Sequence, residues 1–373
     1  MELSNLISQI KPANKQVYDA CIDHFDHIAK PVGSLGKLET LLATVAGASG
    51  TPKIDIKKKC VLVFCSDNGV LAQGVAQSTH EVTTAIANSL VRGTTSVNAM
   101  AASCGADVFP IDMGIIDQVD GLIPRSIARG TKDMTMEPAM TIDEAKKAIL
   151  TGIELVKQRK EEGYQLIATG EAGIGNTTTS SAILACLLNV PAEPVTGRGS
   201  GLTNDGLLRK QKAINQAIQI NQPDISDPLD VLAKVGGFDI AGIVGAFLGG
   251  ALYGVPVIID GFISGVAALL AIRLCPYVKG YLLPSHISAE PAGQMLMAPM
   301  EQRIHRAIEV NKGLDEKKAK RLLKRLDHEH ASYYNFYTRK RWGHANNYDL
   351  CINTASYGID GTVEFIYKMI NRK

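Results

Sequence analysis

Residues 166–179 of this 373-residue chain read LIATGEAGIGNTTT, and this stretch indicates the fold. A short apolar run comes first, a glycine-rich turn follows, and the last residues are suited to open a helix. Strand, glycine turn and helix in this order are typical of a parallel α/β sheet. We therefore predict an α/β protein whose parallel sheet is flanked by helices.

The same design recurs along the chain, because three further apolar, β-branched runs also end at an acidic residue. These runs are residues 61–64, 108–111 and 257–259. The intervening sequence predicts helices over residues 83–102, 141–160 and 178–188. Ligands in parallel sheets bind outside the carboxyl ends of the strands, so we expect the chemistry at that edge.

The turn at residues 170–179 is neither of the two common nucleotide-binding loops. Thr178 stands where G-x-G-x-x-G has its third glycine, and no lysine follows to complete a Walker loop. Converging backbone N–H groups, followed by hydroxyls at the start of a helix, suit a single phosphate group. A helix capped by a side chain after a tight turn is the alternative.

A second glycine-rich loop, residues 196–202, leads into a basic helix. Arg198 in the loop or Lys210 on the helix would supply the cation that the first turn lacks. A surface loop followed by a solvated basic helix is an equally good explanation of this pattern.

Composition excludes several classes of protein. With 39 Lys+Arg, 37 Asp+Glu and 5% aromatic residues, the chain lacks the charge and the stacking surfaces of a nucleic-acid-binding protein. Its seven cysteines form no C-x-x-C pair, so neither zinc nor a disulfide framework is expected. No secretory signal begins the sequence, which predicts a cytoplasmic protein. The uncharged stretch 240–259 predicts a helix and a buried strand, not a membrane span.

Seven motifs in order resemble the nicotinate-nucleotide:dimethylbenzimidazole phosphoribosyltransferase family of cobalamin nucleotide-loop assembly. They are KPVGSLGKLE (30–39), SDNGV (66–70), GEAGIGNTTT (170–179), GRGSGL (197–202), KVGGFD (234–239), PVIIDGF (256–262) and PSHISAEP (284–291). The resemblance implies a Rossmann-like parallel sheet, a small helical N-terminal subdomain and a homodimer. It also implies transfer of the 5-phosphoribosyl group from nicotinate mononucleotide to a benzimidazole, without a metal ion or a cofactor.

The resemblance also implies roles for individual residues. Four residues of the first turn would hold the mononucleotide, two cations would lie near its phosphate, and one serine would line the benzimidazole pocket. In that order they are Gly173, Gly175, Asn176 and Thr177, then Lys210 and Arg198, then Ser78.

The chain departs from this family beyond residue 294, where the family's R-L-G-E-G motif and its catalytic glutamate are absent. Glu171, at the end of a predicted strand beside the phosphate turn, is then the candidate base. Alternatively, its carboxylate hydrogen-bonds the acceptor or caps a backbone turn. Loss of the usual base predicts slow turnover, because a general base contributes about 10²–10⁴-fold to a rate.

From residue 301 onward the chain has 15 Lys+Arg and 9 Asp+Glu, and residues 295–373 resemble the C-terminal part of cytidylate kinase-like proteins. We therefore divide the chain into a transferase domain, 1–294, and an α-rich kinase-like fragment, 295–373. Either a longer fusion has lost an internal block, or the fragment packs where the transferase's own end belongs.

A non-catalytic binder of a benzimidazole or mononucleotide is the alternative function. Kinase activity is disfavoured because no Walker loop is present.

Overall fold

The structure is a computed structural model that describes residues 2–286, 288 and 290–292. The predicted kinase-like fragment, and the boundary proposed at residue 294, lie outside the described residues. The elements up to the third strand are α1 (Leu3–Ile7), α2 (Lys15–His27), α3 (Lys37–Ser49), β1 (Lys59–Ser66), α4 (His80–Val91), α5 (Ser96–Ser103), β2 (Ala106–Gly114) and β3 (Ile123–Pro124). The later elements are α6 (Ile142–Glu161), β4 (Leu166–Ala172), α7 (Asn176–Leu188), α8 (Asn204–Asn221), α9 (Pro228–Val235), α10 (Phe238–Tyr253), β5 (Val257–Ile259), α11 (Phe262–Leu274) and β6 (Leu282–Pro284).

The six strands form one parallel sheet in the order β3-β2-β1-β4-β5-β6, which confirms the predicted α/β fold. Alternate residues of β1 enter two different cores. Leu62 and Phe64 pack with α6 and α10 on one face, while Val63 and Cys65 pack with α4 on the other. Because both faces are covered, the strand reads as a continuous apolar run.

The helix predicted over residues 83–102 is wrong as a single element. Gly93, with φ +72°, follows the end of α4 in a conformation that favours glycine. Thr95 then caps α5, because its side chain accepts from the Asn98 backbone N–H while the Asn98 side chain accepts from the backbone N–H of Thr95. Apolar spacing continues across the break, which is why the pattern predicts one helix.

The uncharged stretch 240–259 is confirmed as a helix followed by a strand, namely most of α10 and all of β5. Gly254, with φ +67°, ends the helix before the strand begins. Within the residues that the structure describes, no helix has the length and apolarity needed to cross a membrane.

A small helical region precedes the sheet, as predicted. Its helices α2 and α3 pack around Cys21, Ala43 and Ala46 in a core of their own. The motif at residues 30–39 lies between them, and Lys30 forms an ion pair of 2.7 Å with Glu39 that is largely shielded from solvent. The Leu35 backbone N–H also donates to Glu39, at 3.1 Å. The motif therefore orders the loop that enters α3.

Helices α6 and α10 approach each other closely because glycines line their contact. A Cβ on Gly152 of α6 would overlap the Gly242 carbonyl oxygen, and a Cβ on Gly245 of α10 would overlap the carbonyl oxygen of Ile149. These glycines therefore serve helix packing.

This contact gives a prediction of stability. The Gly245→Val variant is expected to lower the free energy of unfolding by about 3 kcal/mol, because backbone atoms must move apart to admit the side chain. The control is Gly261→Ala, whose Cβ would meet nothing within 4 Å; because Gly261 is the N-cap of α11, a loss of about 1 kcal/mol or less is expected. Urea unfolding measures both values, and equal losses would contradict this account of the glycines.

Candidate active site

Most of the predicted site residues lie at the carboxyl end of β4, which is next to β1 in the sheet. They are Glu171, Gly173, Gly175, Asn176 and Thr177. Phe64 of β1 pairs with Glu171 of β4, so the segments that follow the two strands emerge side by side. The chain order of the strands reverses between β1 and β4, and such a switch point leaves a crevice in which α/β proteins bind ligands. The fold therefore places the turn at residues 170–179 where a ligand is expected.

Two glycines shape the turn between β4 and α7. A Cβ on Gly173 would overlap the Ser66 carbonyl oxygen at the end of β1, so this close approach requires glycine. Gly175, with φ +100°, occupies the N-cap position of α7. Among the described residues no side chain caps α7, which contradicts the alternative of a side-chain-capped helix. The backbone N–H groups of Asn176 and Thr178 already donate to the carbonyl oxygens of Gly173 and Gly175, so an anion at this turn would accept from those of Gly175 and Thr177.

Lys210 is the cation at this turn. It is only 1% exposed, and its Nζ donates to Thr177 Oγ1 at 2.8 Å and to the Gly197 carbonyl oxygen at 3.3 Å. Burial lowers the pKa of Lys210 to about 8, while the charge of Glu290 acts in the opposite direction. The alternative of a solvated lysine is therefore wrong for Lys210. A buried ammonium group beside an uncapped helix start is suited to a phosphate.

Arg198 does not join Lys210 at the start of α7. Its guanidinium donates to the carbonyl oxygen of Leu202 at 2.7 Å and to Asn204 Oδ1 at 2.5 Å. Both partners lie in the loop at residues 196–202 or just beyond it, at the beginning of α8. Arg198 thus stabilises its own loop.

Ser78 lies in the segment between the 3-10 turn Gly69–Gln73 and α4, and it is half-buried. The adjacent Gln77 donates through Nε2 to the Gly201 carbonyl oxygen at 2.7 Å. This bond joins the segment of Ser78 to the second glycine-rich loop. The structure therefore brings the predicted benzimidazole-binding segment to the loop that also contacts Lys210.

Glu171, which is half-buried, and Asp239, which is fully buried, form an acidic pair at the same helix start. Asn176 Nδ2 donates to Glu171 Oε2 at 2.6 Å and to Asp239 Oδ2 at 3.0 Å. Burial, followed by the charge of Asp239, raises the pKa of Glu171 to about 7, and burial raises the pKa of Asp239 to about 6. A carboxyl group that titrates near neutral pH is suited to proton transfer. The described residues hold no group of three or more His, Cys, Asp and Glu arranged for a metal ion.

Sequence reasoning missed two polar residues of this site, Asp239 and Asn68. They are 0% and 2% exposed, and a Cβ on Gly173 would lie 3.0 Å from Asp239 Oδ2 and 3.1 Å from Asn68 Nδ2. Both belong to motifs that carry the family resemblance, KVGGFD and SDNGV. The sequence did offer a signal for Asp239, because it is an acidic residue between a glycine pair and a long apolar stretch, where charged residues are uncommon.

Comparison with known proteins identifies related chains. A family model described as Phosphoribosyltransferase matches residues 10–313. The nicotinate-nucleotide–dimethylbenzimidazole phosphoribosyltransferase of Clostridium tetani (strain Massachusetts / E88) is 45% identical over 291 residues, which are 78% of this chain and 80% of the relative. The protein of the same name from Ruminiclostridium cellulolyticum is 43% identical over 315 residues, covering 84% of this chain and 90% of the relative.

A solved structure and a second family model also match this chain. The crystal structure of CobT from Thermus thermophilus matches with a TM-score of 0.72 at 35% identity, covering 76% of this chain and 85% of that one. A model of the cytidylate kinase-like family matches residues 295–356, which agrees with the resemblance seen in the tail and overlaps the end of the first match. On these matches the chain belongs to the phosphoribosyltransferase family.

Proposed function

We propose that the chain transfers the 5-phosphoribosyl group of nicotinate mononucleotide to 5,6-dimethylbenzimidazole. The bond from ribose C1′ to the nicotinate nitrogen breaks, and its electron pair leaves with nicotinate. One ring nitrogen of the acceptor forms the new bond to C1′, and the other ring nitrogen loses its proton to a base. The products are α-ribazole 5′-phosphate and nicotinate. The names of the relatives support this choice of substrates.

One observation carries the proposal: adjacent residues of a single helix turn hold a cation and a carboxyl group. Thr177 contacts Lys210, and Asn176 contacts Glu171. A transfer between two bound molecules needs little more than an anchor, an oriented acceptor and a base, provided that their positions are fixed. The helix start at Gly175 supplies that fixed frame.

The phosphate of the mononucleotide would bind between the first turn of α7 and Lys210. Gly173, Gly175 and Thr177 would present donors from the turn, and the lysine would supply a positive charge from α8. Burial has already removed water from this ammonium group. Hydrogen bonds to a phosphate would replace part of the lost hydration. We propose that Arg198 acts from the loop as a second, more distant cation.

The benzimidazole would bind in the crevice above β1 and β4, with Ser78 on one wall. Glu171, at the end of β4, would accept the ring proton. This chain lacks the R-L-G-E-G motif of the family, so the proton acceptor has to come from the remaining carboxylates. We infer that turnover is slower than in relatives that carry that motif.

The decisive experiment is a single-turnover assay by mass spectrometry with nicotinate mononucleotide and dimethylbenzimidazole. We expect nicotinate and α-ribazole 5′-phosphate in equal amounts, and no nicotinate when the benzimidazole is left out. The reaction without benzimidazole separates transfer from hydrolysis, because hydrolysis of the mononucleotide would release nicotinate without an acceptor. Tight binding of both ligands by calorimetry without any product would instead establish a non-catalytic binding protein.

We also propose a cytoplasmic homodimer with a domain boundary near residue 294. Six cysteines of the described residues are free, which supports a reducing compartment. Val32, Leu35 and Leu38 are exposed apolar side chains on the small helical region, and such groups favour association with a second copy. The excess of Lys and Arg from residue 301 onward and the family match that begins at residue 295 support the boundary.

A further inference from the structure

The amide of Asn176 connects two acidic side chains that are far apart in the chain. Its nitrogen carries two hydrogens, and the structure assigns one to Glu171 at 2.6 Å and one to Asp239 at 3.0 Å. Both donors of the amide are therefore used, and its orientation is determined by the two carboxyl groups. Because both carboxyl groups bond the same nitrogen atom, they lie close enough for the charge of Asp239 to act on Glu171.

Asp239 is enclosed on every side, unlike Glu171. It is 0% exposed, whereas Glu171 at the end of β4 is half-buried. Its Oδ1 accepts from the backbone N–H of Ile240 at 2.9 Å, at the start of α10, where the helix dipole favours a negative charge. A Cβ on Gly237 would lie 2.5 Å from this oxygen, so the glycine before α10 permits the enclosure. Asp239 thus cannot reach a substrate directly.

We propose that Asp239 is a positioning residue for the transfer reaction: its buried carboxylate orients Asn176 and, through this amide and its own charge, sets the pH at which Glu171 accepts a proton. The proposal rests on the proposed function, in which Glu171 is the base. It extends that function because Asp239 acts through another residue and contacts no reacting atom. It also assigns a role to a residue of the KVGGFD motif.

The groups that face Glu171 come from several elements. Asp239 at the start of α10 and Asp260 after β5 are acidic and raise the pKa of Glu171, whereas the hydrogen bond from Asn176 of α7 lowers it. Burial raises the pKa of the Cys65 thiol of β1, and the nearby charge of Glu171 raises it further, so Cys65 adds no charge beside Glu171. Asp239 raises the pKa of Glu171 more than Asp260 does, because Asp239 is fully buried whereas the side chain of Asp260 is exposed to solvent.

The test is the pH profile of kcat/KM for the Asp239→Asn variant, in which an amide oxygen can still accept from Asn176. Removing the negative charge is expected to shift the acidic limb down by about one pH unit. Asp112→Asn is the matched control, because Asp112 lies in β2, its carboxylate accepts from the Ile115 backbone N–H, and its charge is not among those that shift the pKa of Glu171. The control is expected to leave the limb in place. An acidic limb that stays at the wild-type pH in Asp239→Asn would overturn the proposal.

A direct titration separates this inference from the proposed function. The carboxyl carbon of Glu171 is followed by NMR in ligand-free protein labelled at glutamate, and Glu171→Gln assigns the signal. If Asp239→Asn lowers the midpoint but the wild type transfers no phosphoribosyl group, the coupling stands and the proposed function fails. If transfer occurs and the midpoint does not move, the coupling is wrong.

A second variant covers the case in which Asp239→Asn does not fold. Asn176→Ser removes the amide that stabilises the charged form of Glu171, so the midpoint is expected to move up, opposite to the shift for Asp239→Asn. A midpoint that stays at the wild-type value in Asn176→Ser would also overturn the proposal.

Discussion

The Glu171→Gln variant is expected to lower kcat for phosphoribosyl transfer by about 10²–10⁴-fold with little change in KM. A glutamine cannot accept the ring proton of the benzimidazole. It keeps the volume of the side chain, and its amide oxygen can still accept from Asn176 Nδ2, so the start of α7 is expected to keep its shape. Nicotinate release at saturating substrate concentrations measures the loss.

The pH profile identifies the cause of that loss. Burial and the charge of Asp239 raise the pKa of Glu171 to about 7, so the group loses its base form as the pH falls below that value. Wild-type kcat/KM is therefore expected to fall about tenfold per pH unit on the acidic side, and this limb should be absent in Glu171→Gln. The control is Glu154→Gln, on the exposed side of α6. If the two variants share one rate and one profile, Glu171 is not the base.

Four of the six strands could be predicted because each is an apolar run that ends at turn residues, and the parallel sheet follows from their alternation with helices. The division between α4 and α5 could not be predicted, because the apolar spacing continues through Gly93. The helix ends there because Gly93 adopts a positive φ. The shortest strands, β3 with two residues and β6 with three, depend on neighbouring strands for their hydrogen bonds and leave little pattern of their own.

The site divides in the same way between local and distant contacts. Gly173 and Gly175 predict a turn within one motif, and the structure shows why each position requires glycine: a close backbone approach at Gly173 and a positive φ at Gly175. Lys210 and Lys212 are the same residue type on one helix, yet only Lys210 is buried, because α8 packs against α7. A sequence of one chain does not distinguish them. Asp239 was missed for the same reason, since its partner Asn176 belongs to another motif.

The Lys210→Met variant is expected to raise KM for nicotinate mononucleotide by about 100-fold, the loss expected when a phosphate loses one charged hydrogen bond. Methionine keeps most of the apolar length of the lysine and fills the same buried space. The folded state no longer has to bury an ammonium group, so the thermal stability of the variant is expected to equal or exceed that of the wild type. Steady-state kinetics and thermal unfolding together measure these two effects.

The matched control is Lys212→Met, two residues along the same helix at an exposed position, where KM is expected to stay unchanged. The pH dependence gives a second signature. Burial lowers the pKa of Lys210 to about 8, so the positive charge is lost as the pH rises above that value, and KM of the wild type should rise there. Lys210→Met has no such charge to lose, so its KM should not change over the same range. A variant that instead loses stability and keeps its affinity for the mononucleotide would assign Lys210 to the folding of the two loops and remove it from phosphate binding.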